Sequence, residues 1–302
     1  MSDRLLKFTF QGAQVRGELV RVADAWREMT AHHEYPAPVK RLLGEMVAAA
    51  ALLASNIKFN GALVMQVHGD GPVRLLVVEC QPDLAMRATA KLGEDPIADD
   101  ASMRNLINRH GRGRFAITLD PRDPLPGQQP YQGIVPLDGD SMAEVLETYM
   151  RQSEQLETRL VLAADAEVSA GLLLQRLPES GRAAKTEDED AWDRVTLIGS
   201  TLRREELLSH TPENLARRLY SQEALAHQAT LAPRFACRCS RERIGRMLVS
   251  LGREEVDSII EELEAVTVTC DFCGRQYTFD AVDVAQLFAS GTTAEADNGQ
   301  RH

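Results

Sequence analysis

Several signatures that would assign a function directly are missing from this chain of 302 residues. Aromatic residues make up only 5% of it, which disfavours the stacking platforms that bind single-stranded nucleic acid. Acidic residues outnumber basic ones by 45 to 34, so a net charge of -11 repels phosphate backbones. Walker loops, dinucleotide fingerprints and nucleophile elbows are also missing. The composition therefore favours neither a nucleic-acid partner nor one of these enzyme classes.

Long hydrophobic runs are missing as well. The longest, residues 47–54, is far shorter than the roughly 18–20 residues that span a bilayer. The first ten residues lack the apolar core of a signal peptide. We therefore expect a cytoplasmic protein without a membrane partner.

Cysteine is scarce, and its placement is informative. The chain has five cysteines, and four of them lie near the C-terminus: Cys237, Cys239, Cys270 and Cys273. In a large cytosolic chain such clustering favours a metal site over structural disulfides. A Cys-x-Cys and a Cys-x-x-Cys pair together supply the four thiolates that a closed zinc site prefers. The sequence predicts one Zn²⁺ per chain, held by these four residues.

Other interpretations of the cysteines have less support. Cys270 and Cys273 alone would fit a thiol–disulfide oxidoreductase, but Gly274 and the second cysteine pair favour a zinc knuckle. DNA binding by this region is disfavoured, because residues 237–280 hold six arginines against nine acidic residues. The fifth cysteine, Cys80, ends an apolar run typical of a buried strand, and we assign it no role.

The hydrophobic pattern predicts an α+β protein whose N-terminal α/β domain, residues 1–180, contains mixed or antiparallel sheets and helices. One hairpin is expected around Gly12, and a second pairs residues 62–67 with 73–80. Helices are predicted after Pro38 and, with a capping box, after Ser141. Further strands are expected at residues 84–91, 115–119, 160–164 and 172–177.

Residues 181–232 form a charged linker that opens with the acidic run 187–190 and contains short amphipathic helices. Two interpretations remain open for it. It is either an ordinary helical linker docked on the first domain or a segment that unfolds conditionally.

Residues 233–290 form the predicted zinc module, followed by a tail, 291–302, expected to be disordered. Ser240 is positioned to cap a helix that ends at Gly252, and a second helix precedes the strand-like residues 266–268. The two cysteine pairs flank this helical hairpin. Because about 55 residues make only a marginal core, the module is expected to depend on its metal.

The cysteine region resembles the heat-shock protein 33 family, whose members are redox-regulated chaperones. The resemblance rests on segments 235–243, 251–255 and 268–273, with sequences FACRCSRER, LGREE and VTCDFC. Segments 149–159 and 170–175, YMRQSEQLETR and AGLLLQ, are similar to the N-terminal domain of that family. One departure is Glu264, which stands in the turn before the second pair where family members often have glycine.

The resemblance implies that the protein is an ATP-independent holdase, which protects unfolding proteins from aggregation. It also implies that the protein is not an enzyme. It is dormant while reduced and zinc-bound. Oxidation is implied to join Cys237 to Cys239 and Cys270 to Cys273, to release zinc, and to unfold the module and linker. The active form implied is a homodimer that binds unfolded clients. From the residues alone, a constitutive zinc-stabilised interaction protein without a redox switch remains the alternative.

Overall fold

The computed structural model describes residues 3–123, 129–178 and 190–296 of the chain, with side chains as far as residue 289. The described residues form two compact units that divide between Ala236 and Cys237. The strands are β1 (Arg4–Phe10), β2 (Val15–Val22), β3 (Gly61–His68), β4 (Val73–Cys80), β5 (Ala85–Leu92), β6 (Arg114–Pro121), β7 (Tyr131–Val135), β8 (Thr158–Ala164), β9 (Ser169–Arg176), β10 (Leu225–Leu231), β11 (Arg234–Phe235), β12 (Ala265–Thr269) and β13 (Gln276–Asp280). The helices are α1 (Asp24–Thr30), α2 (Ala37–Ala54), α3 (Met103–Ile107), α4 (Met142–Gln152), α5 (Ala191–Ser200), α6 (Arg204–Ser209), α7 (Pro212–Leu219), α8 (Arg241–Leu251), α9 (Arg253–Leu263) and α10 (Ala281–Ala296).

The first unit contains two sheets. A five-stranded antiparallel sheet has the order β10-β1-β2-β9-β8, and a six-stranded sheet has the order β11-β5-β4-β3-β6-β7. In the second sheet every neighbouring pair is antiparallel except β11 and β5. Both predicted hairpins, β1–β2 and β3–β4, are confirmed, as is the mixed α/β character of the protein.

Helix α2 lies between the two sheets and packs against strands of both. Its predicted face, which includes Val39, Leu43 and Met46, is fully buried. The opposite face is buried too, because Ala48, Ala49 and Ala51 are small enough for the second sheet to approach. Among the described helices, none is both long and apolar enough to cross a membrane.

The linker helices α5, α6 and α7 lie on the outer face of the five-stranded sheet. Their apolar side chains join a core cluster with β1, β2, β8 and β9. Tyr220, just after α7, is 1% exposed and packs against Phe8 and Phe10. The linker is thus docked on the first domain in this structure. The acidic residues 187–189 lie outside the described residues.

The second unit is a hairpin of β12 and β13 packed with α8, α9 and α10. Its core contains six buried apolar side chains: Leu248, Val256, Val266, Tyr277, Phe279 and Val284. The Ser240 hydroxyl caps α8 by accepting a hydrogen bond from the Arg243 amide, as the sequence predicted. Helix α10 extends to Ala296, into the segment 291–302 that was expected to be disordered, and residues 297–302 lie outside the described residues.

One boundary and one strand differ from those expected from the sequence. Arg234 and Phe235 pair with β5, so they belong to the first unit although the zinc module was placed from residue 233. The end of the linker also forms strand β10, which extends the five-stranded sheet beside β1. Backbone pairing with β5 and β1 places these segments in the first unit.

Candidate metal centre

The four predicted cysteine ligands converge in the second unit. The sulfur of Cys237 lies 3.7 Å from that of Cys270, and the sulfur of Cys239 lies 3.4 Å from that of Cys273. All four sulfurs lie within 4.8 Å of one another, and this is the one such cluster of potential ligands within the described ranges.

The Cys-x-Cys pair is presented by an extended segment. Residues 237–240 are neither helix nor strand, and α8 begins at Arg241. In an extended backbone alternate side chains point to the same side, so a spacing of two brings Cys237 and Cys239 to one face. The Ser240 cap then turns the chain into α8, directly after the second ligand.

The Cys-x-x-Cys pair is presented by a tight turn between β12 and β13. The Cys270 carbonyl accepts hydrogen bonds from the amides of Cys273, at 3.3 Å, and Gly274, at 2.9 Å. Gly274 has a φ of 66°, which glycine adopts without a steric penalty. The turn also directs the amides of Phe272 and Cys273 at the Cys270 sulfur and the amide of Arg275 at the Cys273 sulfur. These amides stabilise negative charge on the sulfurs.

The geometry fits zinc. A tetrahedral site with Zn–S bonds of about 2.3 Å places its sulfurs about 3.8 Å apart, close to the distances found here. Four sulfurs and no nitrogen or oxygen ligand form the soft donor set of a structural zinc site. Cys270 is buried, whereas Cys237, Cys239 and Cys273 are half-buried, so solutes have partial access to the cluster.

Full ionisation of the four thiols would need a cation beside them. Burial opposes ionisation of Cys239, but hydrogen bonds from the Tyr277 hydroxyl and the neighbouring thiols lower its pKa to about 7. Burial, which is the largest effect, and hydrogen bonds to the other cysteines together raise the pKa of Cys273 to about 12, although the Arg275 amide opposes the rise. Burial likewise raises the pKa of Cys270. Four adjacent thiolates can coexist only when a positive ion balances their charge.

Tyr277 is the part of the site that sequence reasoning missed. Its hydroxyl donates a 3.1 Å hydrogen bond to the Cys239 sulfur, while its ring belongs to the module's core. A tyrosine in an alternating strand signals only a half-buried position. The strand register places Tyr277 opposite Val268, and that pairing is what brings its hydroxyl to the cluster.

Cys80 lies apart from the cluster, in the first unit. It is fully buried at the end of β4, and burial raises the pKa of its thiol far above the ordinary value. This is the environment of a core residue, as the sequence indicated.

Comparisons with known proteins agree with this architecture. A family model described as Hsp33 protein matches residues 3–280. The chain is 45% identical over 291 residues to the 33 kDa chaperonin of Methylobacillus flagellatus, covering 96% of each chain. It is 45% identical over 296 residues to the 33 kDa chaperonin of Chromobacterium violaceum, covering 97% of this chain and 96% of the other.

A solved structure shows the same fold. It is the crystal structure of the 33 kDa chaperonin (heat shock protein 33 homolog) of Thermotoga maritima, which matches with a TM-score of 0.80 and 18% sequence identity. The match covers 97% of this chain and 100% of that chain. The family model and the relatives cover nearly the whole length of this protein, both units and the linker included. The chain therefore belongs to the Hsp33 family of chaperones.

Proposed function

We propose that this chaperone is an ATP-independent holdase, activated when its four zinc-bound cysteines are oxidised to two disulfides. One observation carries the proposal. The sulfur cluster joins the two segments that flank the α8–α9 hairpin, in a unit whose core has six buried apolar side chains among the described residues. A core of this size gives little stability, so the state of the cysteines decides whether the unit is folded.

Zinc held by Cys237, Cys239, Cys270 and Cys273 would keep all four sulfurs as thiolates, the form of cysteine that oxidants attack. Structural zinc contributes on the order of 10–16 kcal/mol to the folding of small domains. The reduced, zinc-loaded module is therefore folded and the chaperone is dormant. Three of the cysteines are partly exposed, so a small oxidant such as peroxide can reach their sulfurs.

The oxidation balances with two peroxide molecules per chain. One thiolate of a pair cleaves the O–O bond and becomes a sulfenic acid while hydroxide leaves. The second thiolate then attacks that sulfur, forming the disulfide and releasing another hydroxide. Two disulfides remove four electrons and all four thiolate ligands, so the site no longer holds its metal.

The disulfides proposed are Cys237–Cys239 and Cys270–Cys273. In the folded cluster, sulfur contacts of 3.7 and 3.4 Å join Cys237 to Cys270 and Cys239 to Cys273, across the two pairs. Once the module begins to open, only residues that are near each other in sequence stay close, because the entropy of loop closure rises with loop length. Peptide mapping of the oxidised protein by mass spectrometry distinguishes the two pairings.

The client surface proposed is the sheet face beneath the linker. Helices α5, α6 and α7 are only 10, 6 and 8 residues long, too short to be stable without tertiary contacts. When they detach from the five-stranded sheet, Phe8, Phe10 and Leu174 become exposed. A contiguous apolar surface of this kind binds unfolded chains without nucleotide hydrolysis.

We further propose that the active form is a homodimer and that the protein acts in the bacterial cytoplasm without nucleic-acid or membrane partners. The bacterial relatives support the location, and the net charge of -11 disfavours a nucleic-acid partner. The homodimer is proposed from the family resemblance.

The test is suppression of aggregation of a chemically unfolded client enzyme, measured by light scattering. The reduced, zinc-loaded protein should not suppress it, whereas protein treated with peroxide at raised temperature should. Cys80→Ser should behave like the unmodified protein because Cys80 is no ligand. Equal suppression before and after oxidation would instead support the constitutive zinc-stabilised interaction protein, and turnover of dithiol substrates would support an oxidoreductase.

A further inference from the structure

The first unit contains a cavity of about 220 Å³ between its two sheets, remote in sequence from the cysteines. Most of its wall is aliphatic, with contributions from Leu53, Ile57, Leu63, Ile117, Leu119 and Leu173. Protein interiors are close-packed, and empty apolar space destabilises a fold because the lining atoms lose contacts. A cavity of this size, larger than the ~150 Å³ cavity known to bind benzene, is large enough for a ligand.

One end of the cavity is cationic. Arg16 extends from β2 into the space between the sheets, and its Nη2 donates a hydrogen bond to the Gln175 side chain. Its Nε is buried and has no hydrogen-bond partner among the described residues. Buried donors are nearly always satisfied, so an unsatisfied Nε in a cavity wall points to a missing acceptor.

The nearest acid on the same strand does not supply that acceptor. One carboxylate oxygen of Glu18 lies 3.1 Å from the Lys7 ammonium, and the other accepts a 2.6 Å hydrogen bond from the Ser55 hydroxyl. Glu18 therefore interacts with Arg16 only through the electrostatic attraction between their charges. Burial lowers the pKa of Arg16, and the Glu18 charge opposes that effect only in part.

The acidic residue in the cavity lining, Glu154, is engaged elsewhere. Glu154 lies at the exposed rim and accepts a 2.9 Å hydrogen bond from the Tyr149 hydroxyl. Its charge repels an anion at that side and leaves the Arg16 end as the favourable position for one. The cavity thus combines an apolar body, a buried cationic donor and an acidic rim.

We propose that this cavity binds a small amphipathic carboxylate, a linear or aromatic acid of about ten non-hydrogen atoms. Its carboxylate accepts a hydrogen bond from Nε of Arg16, and its apolar part fills the space among Leu63, Ile117 and Leu173. The cavity, the unpaired guanidinium atom and the charge arrangement all lie in the first unit, so the proposal does not depend on the redox switch.

The test uses the reduced, zinc-loaded full-length protein and isothermal titration with octanoate. We expect saturable binding of one octanoate per chain. Octanol, which has the same chain length without the charge, should bind at least tenfold more weakly. Arg16→Met should weaken octanoate binding about tenfold and leave octanol binding within twofold, because only the charged hydrogen bond is lost.

Two further variants sharpen the result. Arg159→Met removes an exposed arginine from β8 and should leave octanoate binding unchanged. Leu119→Trp should fill the cavity and abolish binding of both probes. Circular dichroism and zinc content establish that each variant is folded, and the Arg16→Met comparison stands even if Leu119→Trp does not fold.

Equal binding of octanoate and octanol, or octanoate binding that Arg16→Met does not change, would overturn the proposal. So would the lack of saturable binding below millimolar octanoate. Each of these outcomes leaves the redox response of the cysteines untouched, and failure of the redox response leaves the octanoate result untouched.

Discussion

The hydroxyl of Tyr277 donates a 3.1 Å hydrogen bond to the sulfur of Cys239. This contact connects the four-cysteine cluster to the core of the second unit, because the Tyr277 ring is 9% exposed and packs with that core. Groups that hydrogen-bond to a ligand hold it in position and adjust its charge.

Tyr277→Phe is therefore expected to lower the zinc affinity of the reduced protein by roughly tenfold. The ring remains, so the fold of the hairpin should persist, and competition with a chromophoric chelator measures the affinity. Tyr131→Phe makes the same chemical change at an exposed position of the first unit and serves as the control. An affinity within twofold of the unmodified protein would show that the contact is incidental.

Glu264 ends α9 with a φ of 63°, a left-handed conformation that side chains with a Cβ adopt at a cost. Glu264→Gly should relieve this strain and stabilise the reduced module by about 1 kcal/mol. Hydrogen exchange of the α9 amides should then slow by roughly fivefold.

Glu261→Gly is the matched control for that change. Glu261 is an exposed helical residue three positions earlier, where glycine destabilises a helix by about 1 kcal/mol, so exchange should accelerate. If both glycines accelerate exchange, the left-handed position is not a source of strain.

Tyr220 fixes the linker on the five-stranded sheet. Its ring centroid lies 4.9 Å from that of Phe10, and its hydroxyl donates a 3.3 Å hydrogen bond to the Val195 carbonyl. Tyr220→Ala should destabilise linker docking by about 3 kcal/mol, so the reduced protein should partly suppress client aggregation. Leu197→Ala changes an α5 side chain that is 70% exposed, so it should leave both linker docking and aggregation suppression unchanged. A Tyr220→Ala protein with a mobile linker and no activity would place the client surface elsewhere.

Glu45 on α2 makes the stability of the first unit depend on pH. Burial raises its pKa to about 7, although the charges of Arg41 and Arg204 lower it. A carboxyl with a folded pKa above the unfolded value of about 4.5 destabilises the folded state once it ionises. The destabilisation that Glu45 causes therefore grows between about pH 4.5 and pH 7, and it is constant above that range.

Glu45→Gln should thus be nearly neutral at pH 4.5 and stabilising at pH 8, by on the order of 3 kcal/mol. Urea unfolding of the reduced, zinc-loaded protein at the two pH values measures this. A stabilisation that is the same at both pH values would mean that the substitution acts through packing alone.

The sequence predicted features that arise from local chemistry. The cysteine spacing predicted the ligand set that the structure brings together, and the caps at Ser141 and Ser240 form as expected. The positive φ of Glu264 explains why glycine is often found at this position in the family.

Features that depend on tertiary contacts were not predictable in the same way. Strand β10, LAHQATL, lacks a regular alternation of apolar and polar residues, and it becomes a strand through its pairing with β1. Strand β7 contains Gly133, where a Cβ would lie 2.4 Å from the Tyr149 hydroxyl, so packing rather than propensity selects that residue. The burial of both faces of α2 likewise follows from two sheets that are distant in sequence.

The most direct test of the switch is to measure zinc content, free thiols and suppression of client aggregation on the same samples during treatment with peroxide at raised temperature. The chain has five cysteines, so the account predicts one zinc and five thiols at the start. At the end it predicts no zinc, a single thiol belonging to Cys80, and activity that rises as zinc is lost. Activity that appears while zinc and five thiols are retained, or complete loss of zinc without activity, would contradict it.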